Sequence, residues 1–389
     1  LRRISSNRNL PVTFHSNIKS SGYGKTHKPV ILFQPQIPTT TRSGFKNSVS
    51  HEQFRHTTQT KKKNIYEIHE SLNFENLELL TKKESFENPV LSSLQLTVDG
   101  EYICCTSSKG LIDIFKVKKK HLNIFRSITA HKEKINEAKW SHSKQLLITA
   151  GTKEKHKFVF EDAVQQAQFY YLDHFILAAA GNKLHLFEYA INIQKSGIKS
   201  YLNTSSLKLI KKIPLETKRI TSLAAMNQFF SNIVLCTGTS KYIDVLDMTN
   251  GKVICHIADT STRPAHLISL NEGSPYTSQT SFMYDLFLTT SLFDGIKIWD
   301  LRTNRPVLCY KEHKCRSYPC DAVFSPCGKY VATGSENKSL YIYDLRQMSH
   351  CHKLLEPQVD VFTSVAFSPK SQLIASSLNG SIYLYGNGK

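Results

Sequence analysis

From about residue 89 onward the chain alternates short apolar runs with clusters of Asp, Gly, Ser and Asn, the pattern of short strands joined by tight turns. The runs recur in a fixed order. YICCTSSKG, ILAAAGN, VLCTGTSKY, FLTTSLFDG, YVATGSENK and LIASSLNG are each an apolar run ending in a turn. Each is followed by a second run with a large side chain near its end: GLIDIF at Phe115, KLHLFEY at Phe187, YIDVLDM at Leu246, GIKIWDLR at Trp299, SLYIYDLR at Tyr343 and SIYLY at Tyr385. Trp299 to Tyr343 is 44 residues and Tyr343 to Tyr385 is 42, a period that holds four short strands. A further repeat opens at AHKEKINEAKWSHSKQLLITAG (130–151).

Seven repeats result, near 89–116, 130–160, 162–189, 219–248, 262–301, 313–346 and 357–385. Four-stranded units at this period predict an all-β fold, a seven-bladed β-propeller. The second repeat is too short for its place. Between Leu147 and the next inner strand at AVQQAQF there is room for KHKFVF (155–160) and little else, so this blade is expected to lack a strand. A circular array must also close, or it leaves an open strand edge. Only GNGK follows Tyr385, and NLELLTKK (76–83) is the expected closing strand. The links 190–212 and 271–284 are longer than the others, one between third and fourth strands and one between first and second. Both kinds of link emerge on one face, and insertions sharing a face often mark a binding surface.

The Trp299-Asp300 pair, the period, and the runs YDLFLTTSLFDGIKIWDLR and RSYPCDAVFSPCGKYVA resemble the WD-repeat β-propeller family, over about residues 85 to 385. The resemblance implies a scaffold that mediates protein–protein interactions, brings no catalytic residues, and implies no cofactor. It also implies a buried hydrogen-bonded set of Asp294, a second-strand Ser or Thr, Trp299 and His313, tying strands together. That set is thinned elsewhere, since Asn337 and Asn379 stand for the turn Asp and Tyr343 and Tyr385 stand for Trp.

Charge changes the picture at one end. The net charge is +19, but residues 1–63 hold twelve Lys or Arg and one acidic residue, Glu52, leaving only +8 for the rest. Residues 1–64 lack the apolar content to form a core and read as a disordered basic tail, with the propeller at 65–389. Within the tail GYGKT (22–26) mimics a phosphate loop, but lysine occupies position 19 where that loop needs glycine. PVILFQPQIP (29–38) could dock as an extended peptide, and KKK (61–63) reads as a solvated charge run. The start, LRRISSNRNL, has no signal-peptide core, and the chain reads as part of a longer one. Nine cysteines without a Cys-x-x-Cys pair suit an intracellular compartment, cytoplasmic or nuclear. No run of apolar residues is long enough to cross a membrane as a helix.

Chemistry is sparse. Gly-x-Ser-x-Gly and His-Glu-x-x-His are absent, so an enzyme is not expected. Cys309, His313, Cys315, Cys320 and Cys327, with His350, Cys351 and His352, fit no zinc spacing, and no metal site is expected. Arg219, Arg263 and Arg316, with Tyr318 and Phe362 nearby, stand just before inner strands and form the candidate partner-binding rim. Arg beside aromatics anchors protein interfaces. The same residues would suit RNA through phosphate contacts and base stacking, the alternative reading.

Overall fold

The computed structural model describes residues 77–84, 90–118, 120–151, 160, 162–190, 206–228, 231–259, 261–277, 279–356, 359–369 and 372–387. The expectations for GYGKT, PVILFQPQIP and KKK lie outside them. The chain divides into a unit of residues 72–227 and 232–389 and a unit of 1–71 with 228–231. The architecture below is that of the first.

Among the described residues it is all-β apart from one 3-10 turn, Ser281–Asp285. The strands are Leu77–Glu84 (β1); Leu91–Leu96, Tyr102–Ser107, Leu111–Val117 and Leu122–Thr129 (β2 to β5); and Ile135–Trp140 and Leu147–Gly151 (β6, β7). Then come Val164–Tyr170, Phe175–Ala180, Lys183–Ala190 and Ser206–Pro214 (β8 to β11), and Ile220–Ala225, Ile233–Gly238, Tyr242–Asp247 and Lys252–Ala258 (β12 to β15). Ala265–Leu270, Leu286–Ser291, Gly295–Asp300 and Arg305–Tyr310 (β16 to β19) form the fifth repeat, and Ala322–Phe324, Tyr330–Thr333, Ser339–Asp344 and His350–Leu355 (β20 to β23) the sixth. Phe362–Ser368, Gln372–Ser377 and Ser381–Asn387 (β24 to β26) complete the series.

Among the described residues these strands make six antiparallel sheets of four and one sheet of two, β6 with β7. The last sheet is β1-β26-β25-β24, so Leu77–Glu84 closes the array as the geometry of a ring requires. The second repeat therefore shows two strands, and residues 152–159, where most of the expected third strand falls, lie outside the described residues. The long link after β10 is shorter than it reads in sequence, because 206–214 forms the outer strand β11; 191–205 is outside the described residues.

The inner strands touch in a closed cycle, β2, β6, β8, β12, β16, β20, β24 and back to β2. A recurring device stitches that cycle. The first pairing of every inner strand except β20 carries a bulge, and in three of them the bulged residue reaches the start of the next blade's inner strand: Ser92 Oγ donates to the Ile135 carbonyl (2.6 Å), Asn136 Nδ2 to that of Val164 (2.9 Å) and Thr221 Oγ1 to that of Ala265 (2.7 Å). An extra residue in one strand re-aims its side chain, which is the usual work of a bulge. The short second repeat takes part on both sides.

A second bulge explains the large side chains. At Phe115, Phe187, Leu246, Trp299 and Tyr343 the pairing to the outer strand slips by one residue, and β1 slips likewise opposite Leu384 and Tyr385. The third-strand side chain turns into the core, while the extra outer residue faces water: Phe125, Ile210, Ile254 and Val307 are exposed apolar side chains for this reason. Between neighbouring sheets lie apolar clusters such as Leu288, Ile296, Ile298, Tyr310, Val331 and Tyr343, which bury the strands β18 and β22 along their whole length.

Candidate interaction surface

Antiparallel order places the turns between second and third strands, and the links entering each inner strand, at one end of every sheet. On this end the fifth and sixth repeats build a tightly held loop, 314–320. One carboxylate oxygen of Glu336 accepts three successive backbone N–H groups, from Arg316 (2.6 Å), Ser317 (2.5 Å) and Tyr318 (2.8 Å). Burial works against that charge, but the three donors and the Arg316 guanidinium hold the Glu336 carboxyl below its usual range. The Glu336 N–H returns a bond to the Lys314 carbonyl at 2.9 Å, and Lys314 N–H donates to Ser335 Oγ at 2.9 Å. Phe293 N–H of the fifth repeat donates to the Cys315 carbonyl at 2.8 Å.

This frame presents side chains outward. Arg316, Ser317, Tyr318 and Pro319 are all exposed, and so is Phe293, at 57%. Phe293 has φ of +72°, a left-handed conformation costly for an aromatic residue and fixed here by the tight turn before Gly295. One link earlier, Arg263 is exposed, and its neighbour Thr262 donates through N–H and Oγ1 to Asp294 Oδ2, both at 2.6 Å. Burial opposes ionisation of Asp294, but the two Thr262 donors, then Lys297 and Lys311, hold its carboxyl low. Arg219 is exposed on the link before that.

Two expectations are corrected. Phe362 is no part of a rim: it is wholly buried, edge-on to Tyr383 at 5.4 Å, because it opens β24 rather than the link before it. The single set expected of Asp294, a hydroxyl, Trp299 and His313 is divided among three places. Trp299 Nε1 donates to Thr289 Oγ1 at 2.9 Å. Asp294 turns outward to Thr262. His313 faces the next blade, where its N–H donates to Tyr343 Oη at 3.2 Å and its Nδ1 lies 3.1 Å from that oxygen. The vacated inner place is taken by Lys297, whose Nζ lies 2.7 Å from both Asp259 Oδ1 and Ser261 Oγ and 6.0 Å from the centre of the Trp299 ring. Asp300 and Tyr385 are structural: Asp300 accepts the backbone N–H (2.8 Å) and Nε (3.0 Å) of Arg302, and Tyr385 is buried beside Leu79 of the closing strand. Asp344 and Arg346 repeat the Asp300–Arg302 clasp.

Sequence reasoning missed Phe293 and Glu336. Phe293 stands where the neighbouring turns carry polar residues, the signal that was available; nothing in its composition marks Glu336 as the loop's anchor. It also missed charge on the inner strands, where Lys139 Nζ lies 3.1 Å from Glu137 Oε1 and Ser364 Oγ donates to Asp321 Oδ2 at 2.6 Å. Burial pushes the Asp321 carboxyl up to about 6, against the Ser364 bond, with Glu137 adding to the rise.

At the other end the 271–284 insertion is also pinned, through Thr277 Oγ1 to the Pro326 carbonyl (2.6 Å) and Asn271 Nδ2 to that of Met283 (2.9 Å). It exposes Phe282. Among the described residues no three His, Cys, Asp or Glu side chains gather as a metal would require, and no helix is long and apolar enough to cross a membrane.

Residues 304–344 and 349–386 match the WD domain, G-beta repeat family model. WD repeat-containing protein 55 of Rattus norvegicus is 26% identical over 146 residues, 37% of this chain and 34% of that protein. WD repeat and SOCS box-containing protein 1 is 33% identical over 93 residues in Homo sapiens, 23% of this chain and 22% of that protein, and 32% identical over 93 residues in Xenopus tropicalis. The chain thus spans about a third of the length of the first and under a quarter of the others. WD repeats of β-propeller type are present, and the two matched segments fall on β19 to β22 and β23 to β26.

Proposed function

We propose that this chain is a non-enzymatic, intracellular scaffold that binds other proteins, probed first at the 314–320 loop with Phe293 and Arg263 beside it. The reading includes a seven-bladed propeller with an incomplete second blade, supported by the seven-membered cycle of inner strands. The run RSYPCDAVFSPCGKYVA further resembles the C-terminal propeller of WD repeat-containing protein 27, and membership of that group belongs to the proposal. The observation that carries the binding reading is the fixed backbone of 316–318 on Glu336, which exposes an arginine and a tyrosine without the ordering cost of a mobile loop. Arg and Tyr so placed are the side chains that dominate protein interfaces.

The test is co-purification with the full chain, with and without nuclease, comparing the wild type with an Arg316→Ala/Tyr318→Ala double variant and with Phe282→Ala on the opposite end. Partner proteins should survive nuclease and fall at least about tenfold in the double variant, the loss of one or two interface anchors. Partners that vanish with nuclease or steeply with salt would transfer the assignment to RNA on the Arg219, Arg263 and Arg316 rim. Loss on Phe282→Ala alone would move the site to the 271–284 insertion.

A further inference from the structure

The loop that displays Arg316 and Tyr318 is bracketed by two cysteines, in CRSYPC (315–320). Both thiols lie under it, Cys315 4% and Cys320 1% exposed, in a small apolar cluster with Val361, Leu292 and Leu378. Both donate to one acceptor, the Tyr318 carbonyl, with Sγ–O distances of 3.3 and 3.6 Å, so the two sulfurs converge on the same point of the loop. The protein's other cysteines offer no such pair. Cys104 and Cys105 are consecutive in β3 and face opposite sides of its sheet, Cys236 is buried in β13, and Cys309 and Cys351 sit exposed on outer strands.

We propose that Cys315 and Cys320 form a reversible dithiol–disulfide pair that closes the exposed 316–319 segment into a ring. Both sulfurs already lie against one carbonyl oxygen of the segment to be closed. Glu336 already holds the backbone of 316–318, and Pro319 restricts the chain just before the second cysteine. The roles of the two sulfurs differ. The neighbouring Cys320 holds the Cys315 thiol low, while the same neighbour and burial push the Cys320 thiol up. Cys315 is therefore the attacking group. With a low-molecular-weight disulfide such as oxidised glutathione as oxidant, the Cys315 thiolate attacks one sulfur and expels the first small thiolate, which takes up the proton Cys315 gave. Cys320 then loses its proton and attacks Cys315 Sγ, expelling the second small thiolate, which takes that proton. The protein dithiol is oxidised by two electrons, the small disulfide is reduced to two thiols, and one S–S bond joins the loop ends. Closure removes both S–H donors from the Tyr318 carbonyl, so the backbone beneath the Tyr318 side chain gains an unbonded acceptor.

Ring formation does not depend on the scaffold reading, and its test uses no partner. The full chain is equilibrated with glutathione at graded ratios of oxidised to reduced form, blocked with N-ethylmaleimide, digested with trypsin and examined by mass spectrometry. Cleavage after Lys314, Arg316 and Lys329 opens the ring, so a 315–320 bond leaves the dipeptide Cys315–Arg316 attached to peptide 317–329 through Cys320, with Cys327 alkylated. The expected result is that this species rises with oxidised glutathione, with one midpoint, and disappears with excess reduced glutathione. In the Cys320→Ser variant the expected product is a glutathione adduct on Cys315. The proposal is overturned if the wild-type map shows Cys315 and Cys320 alkylated while Cys309 and Cys351 carry glutathione, if glutathione stays on Cys315 without resolution, or if the link runs to Cys327. The wild-type map decides alone should the variant fail to fold. Loss of binding in the Arg316→Ala/Tyr318→Ala variant is a separate readout, so either idea can fail without the other.

Discussion

Among the described residues the second repeat contributes two strands, β6 and β7, and the sixth contributes four, β20 to β23. In the second, β6 and β7 enter the inner cycle fully: Ile135 is wholly buried, accepts from Ser92, and is followed by Asn136, which donates to Val164. In the sixth, two more strands add an aromatic layer, with Tyr343 wholly buried, stacked on Tyr310 at 4.3 Å and bonded to His313. The difference separates two jobs. Inner strands close the ring through bulge-directed hydrogen bonds, and outer strands supply the aromatic packing between blades. In the second repeat Trp140 is only half-buried, and its Nε1 has no hydrogen-bond partner among the described residues.

The strongest way to break this division is truncation of the two aromatics. Tyr343→Ala removes a buried ring from between two sheets and should cost about 3–5 kcal/mol, the range for large core aromatics. Trp140→Ala should cost about 1–2 kcal/mol, because less of the ring leaves a packed interior. Urea titrations of both variants measure the contrast. Equal losses would mean that the second repeat packs as tightly as the sixth.

Acid should act on the sixth repeat in a way the same packing explains. Burial, then the nearby His266, lowers the His313 imidazole to about 4. A base whose folded value is lowered contributes its full stability above the unfolded value of about 6.5 and loses it as pH falls from there toward 4. Wild-type stability should therefore drop by roughly 2–3 kcal/mol across that window on account of this one group. His313→Asn, measured by urea midpoints at pH 7, 5.5 and 4.5, should start lower and fall less. An unchanged slope in the variant would assign the acid sensitivity elsewhere.

Much of this plan was legible in sequence because strand length and turn chemistry are local. The period of the large third-strand residues marked the six repeats that form four-stranded sheets, while the second rested on its opening run alone, and ring closure called for a strand from the N-terminal side. Side-chain destinations were less legible, because they depend on one-residue slips. Phe362 was assigned to a link and is instead the first residue of β24, where a bulge between it and Ser364 sends its ring inward. Order along the chain pairs His313 with Trp299, but while the edge of its ring lies against Gly295, its Nδ1 meets the Tyr343 hydroxyl of the next blade. Lys297 was invisible as a core residue, since a lysine in a strand reads as solvated until its carboxylate, Asp259, arrives from the neighbouring link.

The smallest effect tests whether the Trp–hydroxyl pair matters where the outer strands exist. Trp299 is 2% exposed, and its Nε1 donates to Thr289 Oγ1, which is itself buried. Thr289→Val keeps the shape and removes the acceptor, leaving a buried N–H unsatisfied at a cost of about 1–2 kcal/mol. Trp299→Phe removes the donor and leaves only the Thr289 hydroxyl, which can rotate to another partner, so it should lose less than the valine variant in hydrogen bonding but should add a packing loss. Trp140→Phe in the second repeat removes a buried N–H that has no partner among the described residues, so its hydrogen-bond term should be slightly favourable, about 1 kcal/mol, and opposite in sign to that of Thr289→Val. If Thr289→Val proves neutral by urea titration, the indole bond is incidental and apolar packing alone fixes the fifth blade, as it must in the blades that carry phenylalanine or leucine at the same position.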